Sequence, residues 1–376
     1  MSDTDVLRAW LILLRTPGLG WAALRERLRA GDILAALRGL RRSPDGLGED
    51  ARTWLRHPNE ARLAEDLAWL AVPGHRLLCC TDADFPPLLE HVAQPPAALF
   101  VAGDAGLLLH PQVAIVGARG ATAGGLAQAR RFAGALVQAG FVVTSGLADG
   151  VDGAAHAAAL HAGGSTVAVV GTGPDRVYPR KHQALAQAIA SDGALVSEFP
   201  PGTPPRADHF PRRNRLIAGL SLGALVIEAG LKSGSLITAR LAGEQGREVF
   251  ALPGSVHNPL ARGCHRLIRE GVRLVEEPAE LVEVLAPAAR ALGVELAARL
   301  ADAPSHDGAS PTGTSQADPD RECLREALGH DPATLDELAT RTGLAPAALA
   351  SMLLMLELEG QVESLPGNRY QRLVMV

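Results

Sequence analysis

Seven short apolar runs alternating with alanine-rich helical stretches predict an α/β fold, a doubly wound parallel sheet within residues 73–285. The runs are Val113–Val116, Phe141–Thr144, Thr166–Val170, Ala194–Val196, Leu222–Ile227, Val249–Leu252 and Val272–Val275. Runs without polar alternation belong to strands covered on both faces, and stretches such as Leu126–Gln138 and His182–Ala190 suit the crossover helices between them. Composition points the same way. Forty Gly and 26 Pro in 376 residues are too many for a helical bundle, and 3% aromatic content leaves Ala, Leu and Val to build the core.

From the N-terminus, residues 1–72 read as a helical module. Leu and Ala recur at helical spacing, arginine is frequent, and breaks fall at Gly18-Leu19-Gly20 and Pro44-Asp45-Gly46. Thr16-Pro17-Gly18-Leu19-Gly20 before Trp21-Ala22-Ala23-Leu24 has the form of a helix-hairpin-helix turn, whose glycines let backbone N–H groups meet a phosphate. An ordinary turn between packed helices has the same composition, so both readings stand. Residues 73–110 read as extended and proline-broken, with Phe85-Pro86-Pro87 and Pro95-Pro96. After the sheet, residues 286–320 read as a flexible linker, because 302–320 is rich in Ser, Gly, Pro, Thr and Asp. Residues 321–376 place three short helices before a hairpin, Gln361–Ser364 and Arg369–Arg372 around Pro366-Gly367-Asn368, which is the winged-helix order.

A length of 376 residues favours two or three domains. The formal net charge of −5 excludes a protein basic all over, yet the charge is uneven. Residues 112–273 carry 17 Lys and Arg against 10 Asp and Glu, a local +7, which leaves −12 for the rest. Several of these cations fall in loops after strands, where open α/β sheets bind their ligands. A row of such loops suits a linear polyanion better than one mononucleotide. Cys79, Cys80, Cys264 and Cys323 form no C-x-x-C pair, which fits a reducing cytoplasm and argues against a zinc site. No basic n-region opens the chain and no stretch approaches about 18 uninterrupted apolar residues, so neither a secretion signal nor a membrane span is expected.

The strand-end loops hold the candidate chemistry. Gly117-Ala118-Arg119-Gly120, continuing to Gly125, is a glycine-rich strand-to-helix turn, the form of a phosphate site. Arg119 stands where a dinucleotide fold needs bare backbone, which disfavours a dehydrogenase; no G-x-x-x-x-G-K-[ST] exists for a nucleoside triphosphatase. In Ser145-Gly146-Leu147-Ala148-Asp149-Gly150-Val151-Asp152, Asp152 is placed as a helix N-cap with His156 one turn on. That pair reads either as acid and base or as a cap and a helix-anchoring histidine. Tyr178-Pro179-Arg180-Lys181 sets two cations beside an aromatic step, suited to a phosphate next to a stacked base. Phe210-Pro211-Arg212-Arg213-Asn214-Arg215 puts three arginines at a helix start, where they oppose the dipole and call for an anion or for Glu198 or Glu228. After Glu228, Lys232-Ser233-Gly234-Ser235 precedes another helix, either a second anion nest or ordinary capping. Cys264-His265 alone makes no metal site.

Taken together and in order, these loops resemble the DNA processing protein A family over roughly residues 80–275. The shared patterns are V-G-x-R at Val116–Arg119, S-G-x-A-x-G-x-D-x-x-A-H at Ser145–His156, and G-x-D-x-x-Y-P at Gly173–Pro179. They continue with S-E-x-P-x-G at Ser197–Gly202, F-P-x-R-N-R-x-I-A-G-L-S at Phe210–Ser221, E-A-x-x-x-S-G-x-x-x-T-A at Glu228–Ala239 and P-G at Pro253–Gly254. The resemblance implies an extended Rossmann-like core between an N-terminal sterile-alpha-motif-like (SAM-like) helical domain and a C-terminal winged helix. It also implies single-stranded DNA binding without catalysis or cofactor, a homodimer, and loading of the recombinase RecA in natural transformation. It puts the phosphate-contacting arginine on Arg119, the basic position after Y-P on Arg180 beside Lys181, and the R-N-R cluster on Arg213, Asn214 and Arg215. With the loop readings, the expected DNA-binding set is Gly117, Arg119, Ser145, Gly146, Tyr178, Arg180, Lys181, Arg213, Asn214, Arg215, Lys232, Ser233, Gly234 and Thr238; no catalytic or metal residue is expected. Gly124 stands where the family has a tyrosine, which removes an aromatic contact, and Phe85 replaces the tyrosine of Y-P-x-x-L.

Two other readings compete. Related Rossmann-like phosphoribohydrolases carry a P-G-G-x-G-T-x-x-E loop, and Glu228-Ala229-Gly230-Leu231-Lys232-Ser233-Gly234 lacks that arrangement. A partner-binding protein without DNA affinity is the other. In the winged helix, the candidate recognition helix Pro346–Glu359 contains Glu357 and Glu359 but no Arg or Lys, so it would repel phosphate. A protein-interaction or regulatory module is expected there rather than duplex binding.

Overall fold

The structure, a computed structural model, describes residues 3–44 and 46–301, then 333–342, 362–365, 369–372 and a few single positions. By packing, residues 1–303 form one unit and 304–376 a second.

Helices α1 (Asp3–Leu14), α2 (Trp21–Arg29), α3 (Ile33–Arg42), α4 (Glu49–Arg56) and α5 (Glu60–Leu70) open the first unit. Side-chain caps start two of them: Asp32 accepts from Ala35 N at 2.6 Å before α3, and Asn59 from Arg62 N at 3.0 Å before α5. Gly18, at φ +74°, turns the chain between α1 and α2, and Gly20 starts α2 without a side-chain acceptor.

Residues 73–110 hold two strands that the proline-broken sequence conceals, β1 (His75–Cys79) and β2 (Ala98–Gly103). They pair antiparallel, and they lend Leu77, Cys79, Ala98 and Phe100 to the core of the five helices. The boundary expected at residue 72 therefore runs through a shared core. Arg15 reinforces it, gripping the buried Asp66 through Nε at 2.5 Å and donating to the Pro201 carbonyl at 2.8 Å.

The chain then winds through β3 (Gln112–Gly117), α6 (Ala123–Gln138), β4 (Val142–Ser145), α7 (Val151–His161), β5 (Thr166–Val170), α8 (Gln183–Asp192) and β6 (Ala194–Ser197). It continues through α9 (His209–Leu220), β7 (Gly223–Ile227), α10 (Ser235–Glu244), β8 (Glu248–Ala251), α11 (Arg262–Arg269), β9 (Arg273–Leu274) and α12 (Pro278–Ala301). Sheet order is β1-β2-β6-β5-β4-β3-β7-β8-β9. The seven strands from β6 to β9 are parallel, as expected, and β2 adds to β6 antiparallel, so the complete sheet is mixed. Alternate residues of β3 feed different faces. Ala114 and Val116 join one cluster with Leu216 and Ile217, and Val113 and Ile115 join another with Phe132 and Leu136. Strand order reverses at β3, between β4 and β7, and opens a crevice at the carboxyl ends.

The expected linker begins too early. Residues 286–301 are the second part of α12, which runs through Pro287, and packs Leu281, Leu285 and Leu292 into the sheet's core. Residues 302–320 lie outside the described residues. In the second unit, β10 (Ala333–Thr334), α13 (Leu335–Thr342), β11 (Val362–Leu365) and β12 (Arg369–Arg372) are described, with sheet order β10-β12-β11. The hairpin falls where the sequence puts it. Of the candidate recognition helix Pro346–Glu359, only Leu349 and Leu353 are described, both buried in the unit's core.

Candidate nucleic-acid interface

A cleft of about 50 Å³ lies at the carboxyl ends of β3, β4 and β5, lined by Arg119, Gly146, Ala148, Asp149, Tyr178, Pro179, Phe210 and Arg213. Two rings wall it. Tyr178 is 44% exposed and lies 5.5 Å from Phe210, centroid to centroid. The Arg119 guanidinium sits 5.8 Å from the Phe210 centroid. Among the described residues, neither Arg119 nor Arg180 has a carboxylate within ion-pair reach, and both are exposed. An unpaired guanidinium beside two aromatic faces matches a phosphate followed by a base.

Arg213 is the floor of this cleft. It is buried, with Nη1 donating to Gly146 O at 2.7 Å and to Val169 O, and Nε donating to Asn214 Oδ1 at 3.2 Å. Burial pulls its pKa down to about 10, against the attraction of Asp152. Asp152 is the second residue of α7, not its cap; Gly150, at φ +79°, holds that position. The Asp152 carboxylate instead accepts from Gly146 N at 3.2 Å and Ala148 N at 3.4 Å, which folds the loop over Arg213. Burial pushes its pKa up.

His156 does not meet Asp152 in a hydrogen bond. Thr166 Oγ1 donates to Val143 O at 2.5 Å and so accepts from His156 Nδ1 at 2.7 Å. Burial drops the imidazole to about 3, with His182 and Arg213 adding to the effect. The histidine anchors α7 to β5, and the acid–base reading loses its geometry.

The other expected residues divide into rim and framework. Lys181 is exposed on the rim, with Nζ 2.9 Å from Asp149 Oδ1. Lys232 is exposed in the loop after β7, Ser233 Oγ bonds Ser235 Oγ at 2.7 Å, and Asn214 Nδ2 reaches Gly234 O at 3.5 Å. None of these loop residues lines the cleft. Ser145, Arg215 and Thr238 are buried, and Gly117 is half-buried at the end of β3. Gly117 is packed against Ile227 O and Val151, and Ser145 Oγ donates to Ile115 O at 2.6 Å. Arg215 bonds the buried Glu198. Phe210, Asp149 and Arg212 were not in the expected set. Phe210 carried a signal, an aromatic heading a basic run, whereas Asp149 enters through the loop's fold alone.

The glycine-rich turn after β3 departs from expectation. The anion at the start of α6 is internal: Glu228 accepts from Thr122 N at 2.7 Å, Thr122 Oγ1 at 2.6 Å and Asn258 Nδ2 at 2.9 Å. Its carboxylate fills the space a side chain at Gly125 would need. A dinucleotide fold sets its pyrophosphate at that helix end. Glu228 also lines a second cavity, of about 210 Å³, with Gln128, Asn258 and Cys264. Burial raises the Cys264 thiol to about 11, so it is no nucleophile at neutral pH. Among the described residues, no group of three or more His, Cys, Asp or Glu could hold a metal, and no helix is long and apolar enough to cross a membrane.

Fold and cleft define a doubly wound α/β protein with a basic, aromatic-walled groove at its strand ends. Comparison with known proteins names the family: DNA recombination-mediator protein A matches residues 76–286, and the DprA winged helix domain matches 308–368. The chain belongs to the DNA recombination-mediator protein A family. It is 43% identical over 324 residues to protein Smf of Escherichia coli (strain K12), covering 86% of this chain and 84% of that one. The X-ray structure of DNA processing protein A from Streptococcus pneumoniae superposes with a TM-score of 0.66 at 35% identity, covering 73% of this chain and 97% of that one. A structure concerning the single-stranded DNA binding mode of DNA processing protein A from Helicobacter pylori gives 0.52 at 29% identity, covering 57% and 97%.

Proposed function

We propose that this chain is a non-catalytic single-stranded DNA-binding protein that mediates recombination. It protects incoming single strands and loads RecA onto them in natural transformation, acting as a homodimer in the cytoplasm. The observation that carries the reading is the cleft in which the exposed, unpaired Arg119 stands beside Phe210 and Tyr178. Arginine forks fix a phosphate without reading sequence, and an exposed ring accepts any base face, so the site suits a strand of any sequence. Arg180 and Lys181 extend the positive rim, while Arg213, Ser145 and Gly117 act by holding the loops in place. Kinship with the Helicobacter pylori protein supports the same ligand class.

The non-catalytic reading is supported by Glu228. Its carboxylate accepts three hydrogen bonds inside the fold, which commits it to holding α6 rather than to general-base work on a ribose. The test is a titration of single- and double-stranded DNA at several salt concentrations, with the RecA-loading step assayed on the same strands. Tighter single-strand binding with a steep negative salt slope is expected, and Arg119→Ala weakens binding to all sequences alike. Equal affinity for both forms, or no salt dependence, contradicts the proposal.

A further inference from the structure

The cleft does not exhaust the basic and aromatic surface around the start of α9. Phe210 and Arg213 turn toward Arg119 and Gly146, whereas His209 and Arg212 turn the other way. On that second side, His209 stacks on Phe199 at 4.0 Å, and the Arg212 guanidinium lies 5.4 Å from the Phe199 centroid. The same guanidinium lies 5.3 Å from the ring of Trp21, the first residue of α2, and so bridges to the helical module. A second cation-and-ring pair thus stands two residues past Phe210, on the exposed crest Pro211–Arg212.

Charge decides what that pair can do. Glu198 is buried and takes both Arg212, through Nε at 3.1 Å, and the buried Arg215. One carboxylate against two guanidinium groups leaves a net positive charge, and its exposed bearer is Arg212, at 41%. A partly exposed guanidinium with only one of its edges used, held against two rings, is preorganised for a phosphate. Arg212 also occupies the unspecified position of F-P-x-R-N-R, so the resemblance assigns it nothing.

We propose that Arg212, seated on Trp21, is a second phosphate-contacting position that carries the single-stranded DNA track from the cleft over the first turn of α9 onto the helical module. The proposal rests on the cleft being the DNA site. A strand leaving Arg119 past Phe210 meets Arg212 next and then comes to the Gly18-Leu19-Gly20 turn that precedes Trp21.

The experiment titrates full-length protein with labelled oligothymidines of about 6 and about 20 nucleotides at several salt concentrations. Arg212→Ala is expected to leave the short strand within about twofold and to weaken the long one about five- to tenfold. Its salt slope on the long strand falls by about 0.7. The long strand quenches tryptophan fluorescence of the unaltered chain, and Trp21→Phe removes most of that quenching. Because Glu198 keeps Arg215, the Arg212 variant retains its fold, and the quenching measurement decides without it in any case. Unchanged long-strand binding by Arg212→Ala, or quenching that survives Trp21→Phe, overturns the extended track if Arg119→Ala still weakens both strands. If Arg119→Ala also leaves both strands unaffected, the underlying DNA reading fails instead.

Discussion

Arg213 Nη1 lies 2.7 Å from the Gly146 carbonyl oxygen, and a Cβ built on Gly146 would sit 2.7 Å from that same guanidinium. The bond and the near-contact describe one arrangement. The loop after β4 closes directly onto a buried cation, and only glycine leaves room for it. Arg119 reaches the same cleft from the loop after β3 but keeps its guanidinium exposed. Two arginines in one site therefore carry different duties.

Their variants separate those duties. Arg213→Met leaves Asp152 buried without its cation and should cost about 3–5 kcal/mol of stability. Arg119→Ala, at an exposed position, should change stability by less than about 0.5 kcal/mol while weakening single-strand binding by about 1.5–3 kcal/mol. Urea denaturation and a DNA titration on each variant make the comparison. An Arg119 variant that melts early, or an Arg213 variant as stable as the parent, contradicts this division.

Glu228 gives the second prediction. Glu228→Gln turns one of its acceptor oxygens into a donor among Thr122 N, Thr122 Oγ1 and Asn258 Nδ2, all of which already donate. The mismatch should cost about 1–3 kcal/mol, read as a lowered thermal midpoint. Release of ribose from nucleoside monophosphates should stay at background in both proteins. Turnover that vanishes in the variant would restore the enzyme reading.

The third prediction concerns pH. His156 stays neutral in the folded chain down to about pH 3, because burial disfavours the imidazolium. In the unfolded chain a histidine takes up its proton near pH 6.5. Below that pH the unfolded state binds the extra proton, so stability present above 6.5 is lost as pH falls toward 3. The loss approaches about 1.4 kcal/mol per pH unit. His156→Gln removes this contribution. Urea midpoints between pH 7.5 and 4.5 should therefore fall less steeply for the variant than for the parent, and parallel slopes would exclude the assignment.

The seven parallel strands were legible because a strand buried on both faces writes an uninterrupted apolar run, as in Thr166–Val170 and Leu222–Ile227. β1 and β2 were not, since their pairing crosses about twenty residues of proline-broken chain and leaves no local period. The linker expected from residue 286 lies partly inside α12, which runs through Pro287 because its apolar residues bury against the sheet. The site was half legible. Arg119 and Tyr178 line the cleft, whereas Arg213 and Arg215 are internal, Arg213 under Gly146 and Arg215 on Glu198, one of the two carboxylates the sequence offers for that arginine run. Nothing in a basic run tells which arginine the fold will turn inward, because its acceptors come from β5, the loop after β4 and the residue following β6.

Asp149 supplies the last prediction. Its carboxylate lines the cleft with Arg119 and Tyr178, and lies 2.9 Å from Lys181 Nζ and 3.4 Å from His182 Nε2. A negative charge on the wall of a phosphate site opposes its ligand and occupies Lys181 as well. His182 is held independently by Nδ1 donating to the Leu147 carbonyl at 3.0 Å, so the loop does not depend on the carboxylate. Asp149→Asn keeps the shape, removes the charge and frees the lysine. Single-strand affinity should rise about two- to fivefold at low salt, and the salt slope should steepen by about 0.7 as Lys181 gains a phosphate. Adding Lys181→Ala to Asp149→Asn should cancel the steeper slope. If Asp149→Asn weakens binding instead, the carboxylate positions the strand or its loop, and Lys181 does not act as a phosphate contact held in reserve.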